Sequence, residues 1–531
     1  MPLASPGRLF LALLVVFTLV APLMAVDFVP PLIVIVFVRA EGKEFRVGNR
    51  LLRFVGFNMR GICHYGRGDI LPLSQESDIS TNLNYCNEQN AKVIRFVAPY
   101  WKLNQVQTGD RLQVILDACN LWRVHAIVCL TDVYEVTQLY PQGDGPYYTD
   151  GCCGLKVLNH QWYAGGYQTN YLPQVLYLAN RFKDHPAIFA WQLGNEIRDP
   201  GNGPTFQAFA HNVAAQIRSV DPNHMISLGV ISAGSTDVTD PLALYTHFDF
   251  VGTHNYNGGG ANDWLVADIL NKPYVIDEAG FDSDVYGPDR TPESNADMNK
   301  WFNTFGVSGY MNWGLMATPY NNGDGDFDFG IDHVQNGHSS DYDKYKTLFR
   351  SWGELLCKPL LRAAPATFER TVTLGGSLPP EQFELENTGG EAISFQIFEA
   401  SVWADVSIYN GQLPPGKTPI TVTYNTTTLP VGVHESTMEV HASAASNSPL
   451  ILRFKVTVVA QPGDFDGDND VDQADYGFFQ TCLTGPGIPI ANPACEPANL
   501  DGDQDVDQAD RLLFEGCMSG SNVPADPDCV N

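Results

Sequence analysis

The feature that most constrains the fold is a regular alternation of strand-like and helix-like segments between residues 45 and 350. Amphipathic stretches such as 171–185 and 206–220 carry apolar residues at the three-to-four spacing of helices. They separate most of eight short apolar runs that we predict as strands, at 51–58, 92–100, 124–132, 187–196, 224–230, 248–256, 272–278 and 307–313. Eight such units in succession predict the α/β class and a (β/α)₈ barrel over residues 36–358. Residues 37–47 are predicted to form a hairpin that covers the lower end of this barrel.

The chain changes character after the barrel. Residues 363–460 lose helical periodicity and consist of strand-length segments separated by turn residues, which predicts a β-sandwich. Residues 461–531 form a third region and contain a repeat, because GDFDGDNDVDQAD returns 35 residues later as ANLDGDQDVDQAD. This region carries 15 acidic residues against one basic residue, so about half of the chain's net charge of −29 lies there. Such a charge excludes nucleic acid and anionic membranes as expected partners.

The N-terminus is predicted to direct export. Arg8 precedes an apolar run from Leu9 to Val20, and Ala25 ends a small-residue cleavage site, so residues 1–25 are interpreted as a signal peptide. The next apolar stretch, 31–38, is too short to span a bilayer. We therefore expect a secreted, extracellular protein without a membrane span, in which the 11 cysteines are free to form disulfides.

Polar residues stand where the predicted strands end, which is where barrel enzymes carry their chemistry. A barrel interior rarely tolerates an unpaired glutamate, because burying a charge without partners costs several kcal/mol. Two carboxylates at one barrel mouth are what glycoside cleavage requires, one protonated to release the leaving oxygen and one ionised to attack the anomeric carbon. The strand-end residues are Asn58, Arg95, Asp132, Asn195, Glu196, His254, Tyr256, Glu278 and Trp313.

Other interpretations of single residues exist. Any one of these glutamates could be a salt-bridged surface residue. Asp277 competes with Glu278 for a role at the strand end, but side chains of a regular strand alternate, which predicts that the two acids point to opposite sides. His64 and His125 are further candidates, and His125, in the middle of a predicted strand, is interpreted as structural.

The motifs WQLGNE (191–196), THNY (253–256), KPYVIDEAG (272–280) and the strand ending at Trp313 resemble glycoside hydrolase family 5, whose members are retaining barrel glycosidases. The resemblance extends over residues 36–350. It implies that Glu196 is the general acid/base and Glu278 the nucleophile. It also implies that Asn195 binds the sugar 2-hydroxyl, that Arg95 and Tyr256 hold Glu278 ionised, and that His254 and Trp313 line the sugar site.

The substrate class rests on a further resemblance. The opening FVRAEGKEFRVGNRLLRFVGFN and the stretch FAWQLGNEIRDP resemble β-mannanases of this family, which implies a mannan endo-1,4-β-mannosidase. Cellulases share the same catalytic set and remain the alternative. The acidic, Gly-rich segment 321–332 is predicted either to bind an ion or sugar hydroxyl or to be a tight loop. The aromatic residues of 133–169 are predicted either to stack on sugars or to pack their own segment: Tyr134, Tyr140, Tyr147, Tyr148, Trp162, Tyr163 and Tyr167.

The C-terminal repeats carry acidic residues at the spacing of EF-hand calcium loops, in which hard oxygen ligands surround one Ca²⁺. The predicted Ca²⁺ ligands, at positions 1, 3, 5, 7, 9 and 12, are Asp464, Asp466, Asp468, Asp470, Asp472 and Asp475 in the first copy, and Asn499, Asp501, Asp503, Asp505, Asp507 and Asp510 in the second. Asn469 and Gln504 replace the usual glycine at position 6, and Asn tolerates a left-handed backbone better than Gln, so the second copy departs further from the calcium-loop pattern.

These paired loops, each followed by one helix, resemble a type I dockerin, which implies a cohesin-type partner on a scaffold or cell surface. A role as a calcium-stabilised tail is the alternative. Cysteine pairs Cys482 with Cys495 and Cys517 with Cys529 are expected to staple the segment after each helix. The sandwich shows a resemblance to the BACON type of carbohydrate-associated domain, with a spacer role as the alternative.

Two other functions stay open on sequence alone. A catalytically inactive barrel could bind glycan without cutting it, although such a barrel has no need of both Glu196 and Glu278. An exo-acting glycosidase has the same catalytic pair, because the difference between a cleft and a pocket depends on loop shape. Apart from structural Ca²⁺ in the C-terminal region, no cofactor is expected.

Overall fold

Eight parallel strands form the main sheet of the protein. The computed structural model describes residues 36–59, 62, 76–98, 103–134, 146–150, 156–233, 240–256, 261–287, 290–315, 339–399, 402–526 and 529–530. Its first thirteen strands are β1 Val38–Glu41, β2 Glu44–Val47, β3 Arg50–Leu52, β4 Phe54–Asn58, β5 Val93–Val97, β6 His125–Cys129, β7 Tyr148–Asp150, β8 Lys156–Leu158, β9 Ile188–Gln192, β10 Met225–Ser227, β11 Val251–Tyr256, β12 Tyr274–Gly280 and β13 Gly309–Asn312.

Helices connect the strands of this sheet. The ten helices of this part of the chain are α1 Glu76–Glu88, α2 Gln105–Trp122, α3 His160–Tyr163, α4 Tyr171–Phe182, α5 Gly203–Val220, α6 Pro241–Tyr245, α7 Ala261–Ile269, α8 Ser283–Tyr286, α9 Arg290–Asn299 and α10 Ser339–Cys357. A π-helical turn, Lys300–Phe305, extends α9. The longer helices bury one face, as α4 does with Val175, Leu178 and Phe182, because their apolar residues recur every three to four positions.

The sheet is a nearly closed barrel. Its strands are paired in the order β10-β9-β6-β5-β4-β13-β12-β11, and every pair is parallel. The two edge strands are connected through Asp249, whose backbone N–H donates to Ile226 O at 3.0 Å and whose carboxylate accepts from Ile226 N at 2.7 Å. The predicted (β/α)₈ barrel is therefore confirmed, and all eight of its predicted strands are present.

The hairpin β1–β2 covers the end of the barrel at which the strands begin. Phe45 is fully buried there and packs edge-on against Phe189 and Phe250, with ring centroids 4.8 and 5.3 Å apart. Its neighbours come from the first residues of several barrel strands, so the hairpin closes the lower end with apolar side chains. The catalytic candidates, which stand at the strand ends, are left at the other, open end.

Residues 361–459 form two sheets with one shared apolar core. The first has four strands in the order β14-β16-β20-β18, and the second has five in the order β15-β22-β21-β17-β19. Their bounds are β14 Leu361–Ala364, β15 Thr367–Thr373, β16 Glu381–Asn387, β17 Ile393–Glu399, β18 Ala404–Val406, β19 Asn410–Leu413, β20 Gly416–Tyr424, β21 Gly432–His441 and β22 Leu450–Val459.

The two-sheet region contacts the barrel through the hairpin side. Arg46 on β2 forms an ion pair with Glu386 on β16 at 2.9 Å, and Leu51 N donates to Thr388 O at 2.8 Å. Glu44 on β2 also pairs with Arg362 on β14. These contacts join the lower end of the barrel to the first of the two sheets.

The C-terminal region contains two helices, α11 Gln473–Cys482 and α12 Gln508–Cys517, around a small apolar core that includes Phe479 and Phe514. Each helix is followed by a disulfide, Cys482–Cys495 and Cys517–Cys529, as the sequence predicted. Among the described residues, no helix combines the length and the apolar character needed to cross a bilayer.

Candidate active site

The ends of five barrel strands place the predicted catalytic and binding residues at one end of the barrel. Arg95 lies on β5, and Asn195 and Glu196 follow β9. His254 and Tyr256 lie on β11, Glu278 lies on β12, and Trp313 follows β13. Direct hydrogen bonds connect all of these side chains except that of Trp313. Trp313 is half-buried, and its backbone N–H donates to Ala279 O at 2.7 Å.

Arg95 is the centre of the buried network. Its guanidinium is 2% exposed and donates to four side chains, which are Gln192 Oε1 at 2.6 Å, Asn58 Oδ1 at 2.8 Å, Asn195 Oδ1 at 2.7 Å and Glu278 Oε1 at 2.6 Å. Burial lowers the pKa of Arg95, but neighbouring groups that include Glu278 outweigh it and raise the pKa. Arg95 therefore remains a cation although it is buried.

Glu278 is held on both carboxylate oxygens. Oε1 accepts from Arg95, and Oε2 accepts from the Tyr256 hydroxyl at 2.8 Å. His254 Nδ1 lies 3.2 Å from Oε2. Burial raises the pKa of Glu278 against the opposing effects of His254 and Arg95, and the net direction is upward. The three donors fix the carboxylate in one orientation, as a nucleophile requires.

Glu196 lies on a strained backbone at the end of β9. Its φ of 50° falls in the left-handed region that a non-glycine residue rarely adopts. His254 Nδ1 contacts its Oε1 at 2.9 Å, and Tyr134 donates its hydroxyl proton to Oε2 at 2.7 Å. Burial raises the pKa of Glu196, but the hydrogen bonds from His254 and Tyr134 outweigh it and bring the pKa to about 2. Glu196 is therefore ionised in this unliganded arrangement.

The two glutamates are close together. One carboxylate oxygen of Glu196, one of Glu278 and a ring nitrogen of His254 all lie within 4.8 Å of one another. Retaining glycosidases separate their two carboxyl groups by about 5–5.5 Å, whereas inverting enzymes need about 6.5–9.5 Å to admit a water. The spacing therefore fits double displacement. The Glu196 side chain is 16% exposed and that of Glu278 only 3%, so Glu196 is the one nearer to solvent.

A β-bulge changes the interpretation of Asp277. The pairing of β11 with β12 skips one residue, because Thr253 pairs with Ile276 and His254 pairs with Glu278. Asp277 is the extra residue, so the simple alternation that predicts opposite directions for the two acids is wrong here. Both acids approach the same imidazole, and Asp277 is fully buried beneath Glu278.

Asn195 is positioned by two neighbours. Its Oδ1 accepts from Arg95, and its Nδ2 donates to Asp132 Oδ1 at 3.3 Å. Asp132 and Asn195 also form an isolated parallel β-bridge, which extends the pairing of β6 and β9 beyond their ends. Asp132 thus acts on the site through Asn195.

Two contacts of the site were not assigned from the sequence. Gln192 joins the network by accepting from Arg95 and donating to Asp277, and its only sequence signal is a polar residue in a fully buried strand. Tyr134 was considered as a sugar-stacking residue, but its hydroxyl binds Glu196. His125 stands at the first position of β6, far along the strand from these ends, and His64 is outside the described residues.

Three aromatic residues of 133–169 take the packing role. Trp162, Tyr163 and Tyr167 are buried and pack against Phe209, with ring centroids 4.9–5.3 Å apart. For these three the packing alternative is correct. Tyr140, Cys152, Cys153 and the segment 321–332 lie outside the described residues.

Both C-terminal loops gather oxygen atoms suited to Ca²⁺. In the first loop Asp464, Asp466 and Asp475 bring one carboxylate oxygen each within 4.8 Å of the others, as do Asp470, Asp472 and Asp475. In the second loop Asp505, Asp507 and Asp510 do the same. Hard oxygen donors at this spacing are what Ca²⁺ binds. The donor set therefore fits the ion that the sequence implied.

Three comparisons place the barrel among known proteins. Residues 163–257 match the model of a family described as GH family 5 beta-mannosidase-like. A protein of Neosartorya fischeri named probable mannan endo-1,4-beta-mannosidase F is 23% identical over 47% of this chain and 62% of its own length. A similarly named protein of Aspergillus oryzae is 26% identical over 39% of this chain and 47% of its own length.

This chain therefore spans between about half and two thirds of the length of these fungal relatives. A putative mannan endo-1,4-beta-mannosidase 9 of rice is 32% identical over 19% of this chain and 33% of its own length. Among solved structures, the endo-beta-1,4-mannanase from Thermotoga petrophila is 16% identical, with a TM-score of 0.44, and covers 77% of this chain and 98% of that chain. The matched segment 163–257 of the family model contains Asn195, Glu196, His254 and Tyr256 of the site.

Proposed function

We propose that this chain is a retaining endo-β-1,4-glycanase of the glycoside hydrolase family 5 type, and that its substrate is a β-mannan. The observation that carries the proposal is the pair Glu196 and Glu278, close enough for double displacement and held by Arg95, His254 and Tyr256. The mannan assignment is supported by the names of the relatives, which are mannan endo-1,4-beta-mannosidases.

In the first step Glu278 attacks the anomeric carbon while Glu196 gives a proton to the departing glycosidic oxygen. Arg95 and Tyr256 fix the attacking carboxylate, so little reorganisation is needed as the bond forms. Glu196 must first gain a proton. Substrate that enters between the two glutamates and displaces the contact with His254 removes a hydrogen bond to the ionised form of Glu196, which raises the pKa of Glu196 toward the value a general acid needs.

In the second step water hydrolyses the glycosyl ester of Glu278. Glu196, now ionised, takes a proton from that water, and the product keeps the β configuration. Tyr134 and His254 stabilise the ionised form of Glu196 that this step requires. The same two donors, which lower the pKa of Glu196 before substrate binds, thus keep Glu196 ionised and able to accept that proton afterwards.

The test is release of reducing sugar from mannan, glucomannan and carboxymethyl-cellulose by the purified full chain. Glu278→Gln and Glu196→Gln are compared with Glu293→Gln, a matched change of an exposed glutamate on α9. We expect hydrolysis of mannan by wild type and by the control and a loss of at least about 1000-fold for Glu278→Gln. Cleavage of cellulose alone would keep the mechanism and contradict the mannan assignment.

The product anomer, observed by proton NMR within the first turnovers, tests retention. Initial formation of the β anomer supports double displacement, and initial α anomer would contradict it. A chain that binds mannan and releases no sugar from any of the three polymers would instead be an inactive glycan-binding barrel. Product lengths test endo action, because an exo enzyme releases one short product from the start.

We also propose that the C-terminal region binds two Ca²⁺ ions, that it docks to a cohesin-type module, and that the protein acts outside the cell. The oxygen clusters of both loops and the repeated loop–helix units support the first two parts. The two disulfides of this region support an oxidising compartment. Because the loops are separate from the barrel mouth, EDTA is expected to destabilise this region and to leave mannan hydrolysis intact.

A further inference from the structure

Asp277 is a buried carboxylate that the proposed reaction does not use directly. It occupies the bulged position of β12, between Ile276 and Glu278, where neither neighbouring strand offers it a pairing residue. Bulges near active sites typically re-aim a side chain. Here the bulge brings two consecutive acids to one histidine, which a regular strand could not do because its side chains alternate.

The contacts of Asp277 are divided between its two oxygens. Oδ2 accepts a hydrogen bond from Gln192 Nε2 at 2.7 Å. Oδ1 lies 3.6 Å from His254 Nε2. This distance is that of an ion pair, and within the part of the chain that the structure describes neither Oδ1 nor Nε2 has a hydrogen-bond partner. Both side chains are essentially inaccessible to solvent, at 0% and 1% exposure, so these two facing atoms have only each other.

The backbone around Asp277 is shaped to admit this side chain. Gly252 on β11 lies against it, and a Cβ atom at position 252 would be 2.6 Å from Asp277 Oδ2. Any side chain at position 252 would therefore push the carboxylate out of place. The cradle formed by Gly252 and Gln192 fixes Oδ1 toward the imidazole.

Carboxylates face both nitrogens of His254. Glu196 Oε1 and Glu278 Oε2 lie 2.9 and 3.2 Å from Nδ1, on the side opposite to Asp277. Ionised carboxylates only accept hydrogen bonds, so both ring nitrogens are placed to donate, as they do in the imidazolium form. The other titratable groups that interact with these three carboxylates, among the described residues, include Arg95, Cys129, Tyr134, Arg198, Tyr245, Tyr256 and Tyr274.

We propose that Asp277 is a positioning residue that holds a proton on His254 Nε2 and so keeps the imidazole charged and aimed between Glu196 and Glu278. This inference rests on the proposed glycosidase function. Burial lowers the pKa of His254, but the negative charges of Glu278, Glu196 and Asp277 raise it by more. The charged imidazole in turn stabilises the ionised forms of both glutamates.

The first test needs no substrate. Nitrogen-15 NMR of the full chain, with His254 identified by its absence in His254→Asn, reports whether each ring nitrogen carries a proton. We expect both nitrogens of His254 to be protonated at pH 6.5, where an ordinary histidine is half neutral. A neutral His254 at that pH would overturn the proposal, whether or not the chain cuts mannan.

The second test is the pH dependence of kcat/KM on mannan for Asp277→Asn. Loss of the acid removes the imidazolium charge next to Glu196 and Glu278, so the pKa of each glutamate rises and both limbs of the profile move to higher pH by about one unit. The side-chain hydrogen bonds of both glutamates go to His254 and to other donors rather than to Asp277, so loss of the charge of Asp277 itself is expected to act on them less. Unchanged limbs in a folded Asp277→Asn protein would overturn the proposal.

The matched control is Asp221→Asn. Asp221 is also fully buried and paired with a histidine, His224, at 2.7 Å, but it stands at the end of α5 outside the site. We expect this variant to have a lower free energy of unfolding, with both limbs of its kcat/KM profile at the wild-type pH. The leaving group of a 2,4-dinitrophenyl β-mannoside needs no proton. With this substrate the pH profile of kcat/KM should therefore have no basic limb, in wild type and in Asp277→Asn alike. If the wild-type protein cuts none of these substrates but its His254 is charged, the proposed function is refuted. The proposed role of Asp277 in keeping His254 charged is then still supported.

Discussion

Arg95 uses four of its five N–H donors on four different side chains. Nη1 alone reaches both Asn58 and Glu278, which the rigid, planar guanidinium allows because its donors diverge in one plane. A lysine ammonium would supply the charge at one point and could not reach all four acceptors. The site therefore depends on the shape of this cation as well as on its charge.

Arg95→Lys is accordingly expected to lower kcat/KM at least about 100-fold and the free energy of unfolding by about 3 kcal/mol, since buried hydrogen-bond acceptors lose their donor. The measurements are hydrolysis of mannan and urea denaturation. Arg218→Lys is the control, because Arg218 forms a half-exposed ion pair with Asp249, worth about 1 kcal/mol or less. Wild-type activity of Arg95→Lys would contradict the role given to this network.

Tyr134 acts on the acid/base through one hydrogen bond. The pKa of Glu196, about 2, is lowered in part by this bond, so Tyr134→Phe raises it. The first chemical step needs protonated Glu196, and the basic limb of kcat/KM on mannan should therefore move to higher pH by less than about one unit. Tyr177→Phe on the outside of α4 is expected to leave the limb in place. A shift to lower pH would contradict this assignment.

At the level of elements, the hairpin β1–β2 is expected to contribute to the stability of the barrel and not to the chemistry of the site. Phe45→Ala removes a fully buried ring that contacts Phe54, Phe189 and Phe250, and it is expected to lower the free energy of unfolding by about 3–5 kcal/mol. Activity well below the unfolding temperature should be kept, because the site lies at the other end of the strands. Denaturation of Leu121→Ala, at a side chain 76% exposed, is the control with little expected change.

The two calcium loops differ in backbone and charge. Asn469 adopts a φ of 74° at position 6 of the first loop, whereas Gln504 at the same position of the second loop has no positive φ. Asp464 at position 1 is replaced by the neutral Asn499, whose amide nitrogen donates to Asp503 O at 3.0 Å. The second loop therefore offers a cation one carboxylate fewer than the first loop does.

From this difference we expect calorimetry of the full chain with Ca²⁺ to resolve a tighter and a weaker site. Asp475→Asn should remove the tighter site, and Asp510→Asn, the matched change in the other repeat, should remove the weaker one, because each residue is the position-12 ligand of its loop. The reverse assignment would contradict the ranking, and an absence of Ca²⁺ binding would contradict the calcium proposal itself.

For the molecule as a whole, the barrel was predictable because its signal is local and repeated. Each of the eight strands is a short apolar run, and polar residues at the ends of most of them, such as Glu196 and Glu278, indicate the site. The bulge at Asp277 was not predictable, because register is decided by pairing with β11 and β13 rather than by the residues themselves. The same holds for Tyr134, whose contact with Glu196 joins positions 62 residues apart.

Composition alone could not decide the role of the aromatic segment either. Aromatic side chains such as those of Trp162, Tyr163 and Tyr167 could stack on a sugar ring, yet they pack against Phe209 on α5 inside the protein. The choice between stacking on a ligand and packing on a helix depends on a residue more than 40 positions away. Sequence patterns state what such side chains can do, and tertiary contacts select among those options.

The hairpin that closes the barrel also bears on where the rest of the chain is attached. Arg46 of the hairpin and Leu51 of the next strand, β3, also contact the two-sheet region, which is therefore attached to the closed end of the barrel. Gln461, in turn, joins the C-terminal region to that region through Leu374 O. If the C-terminal region docks as we propose, we expect the attachment to lie on the side of the closed end of the barrel and to leave the open end, with Glu196 and Glu278, accessible to substrate.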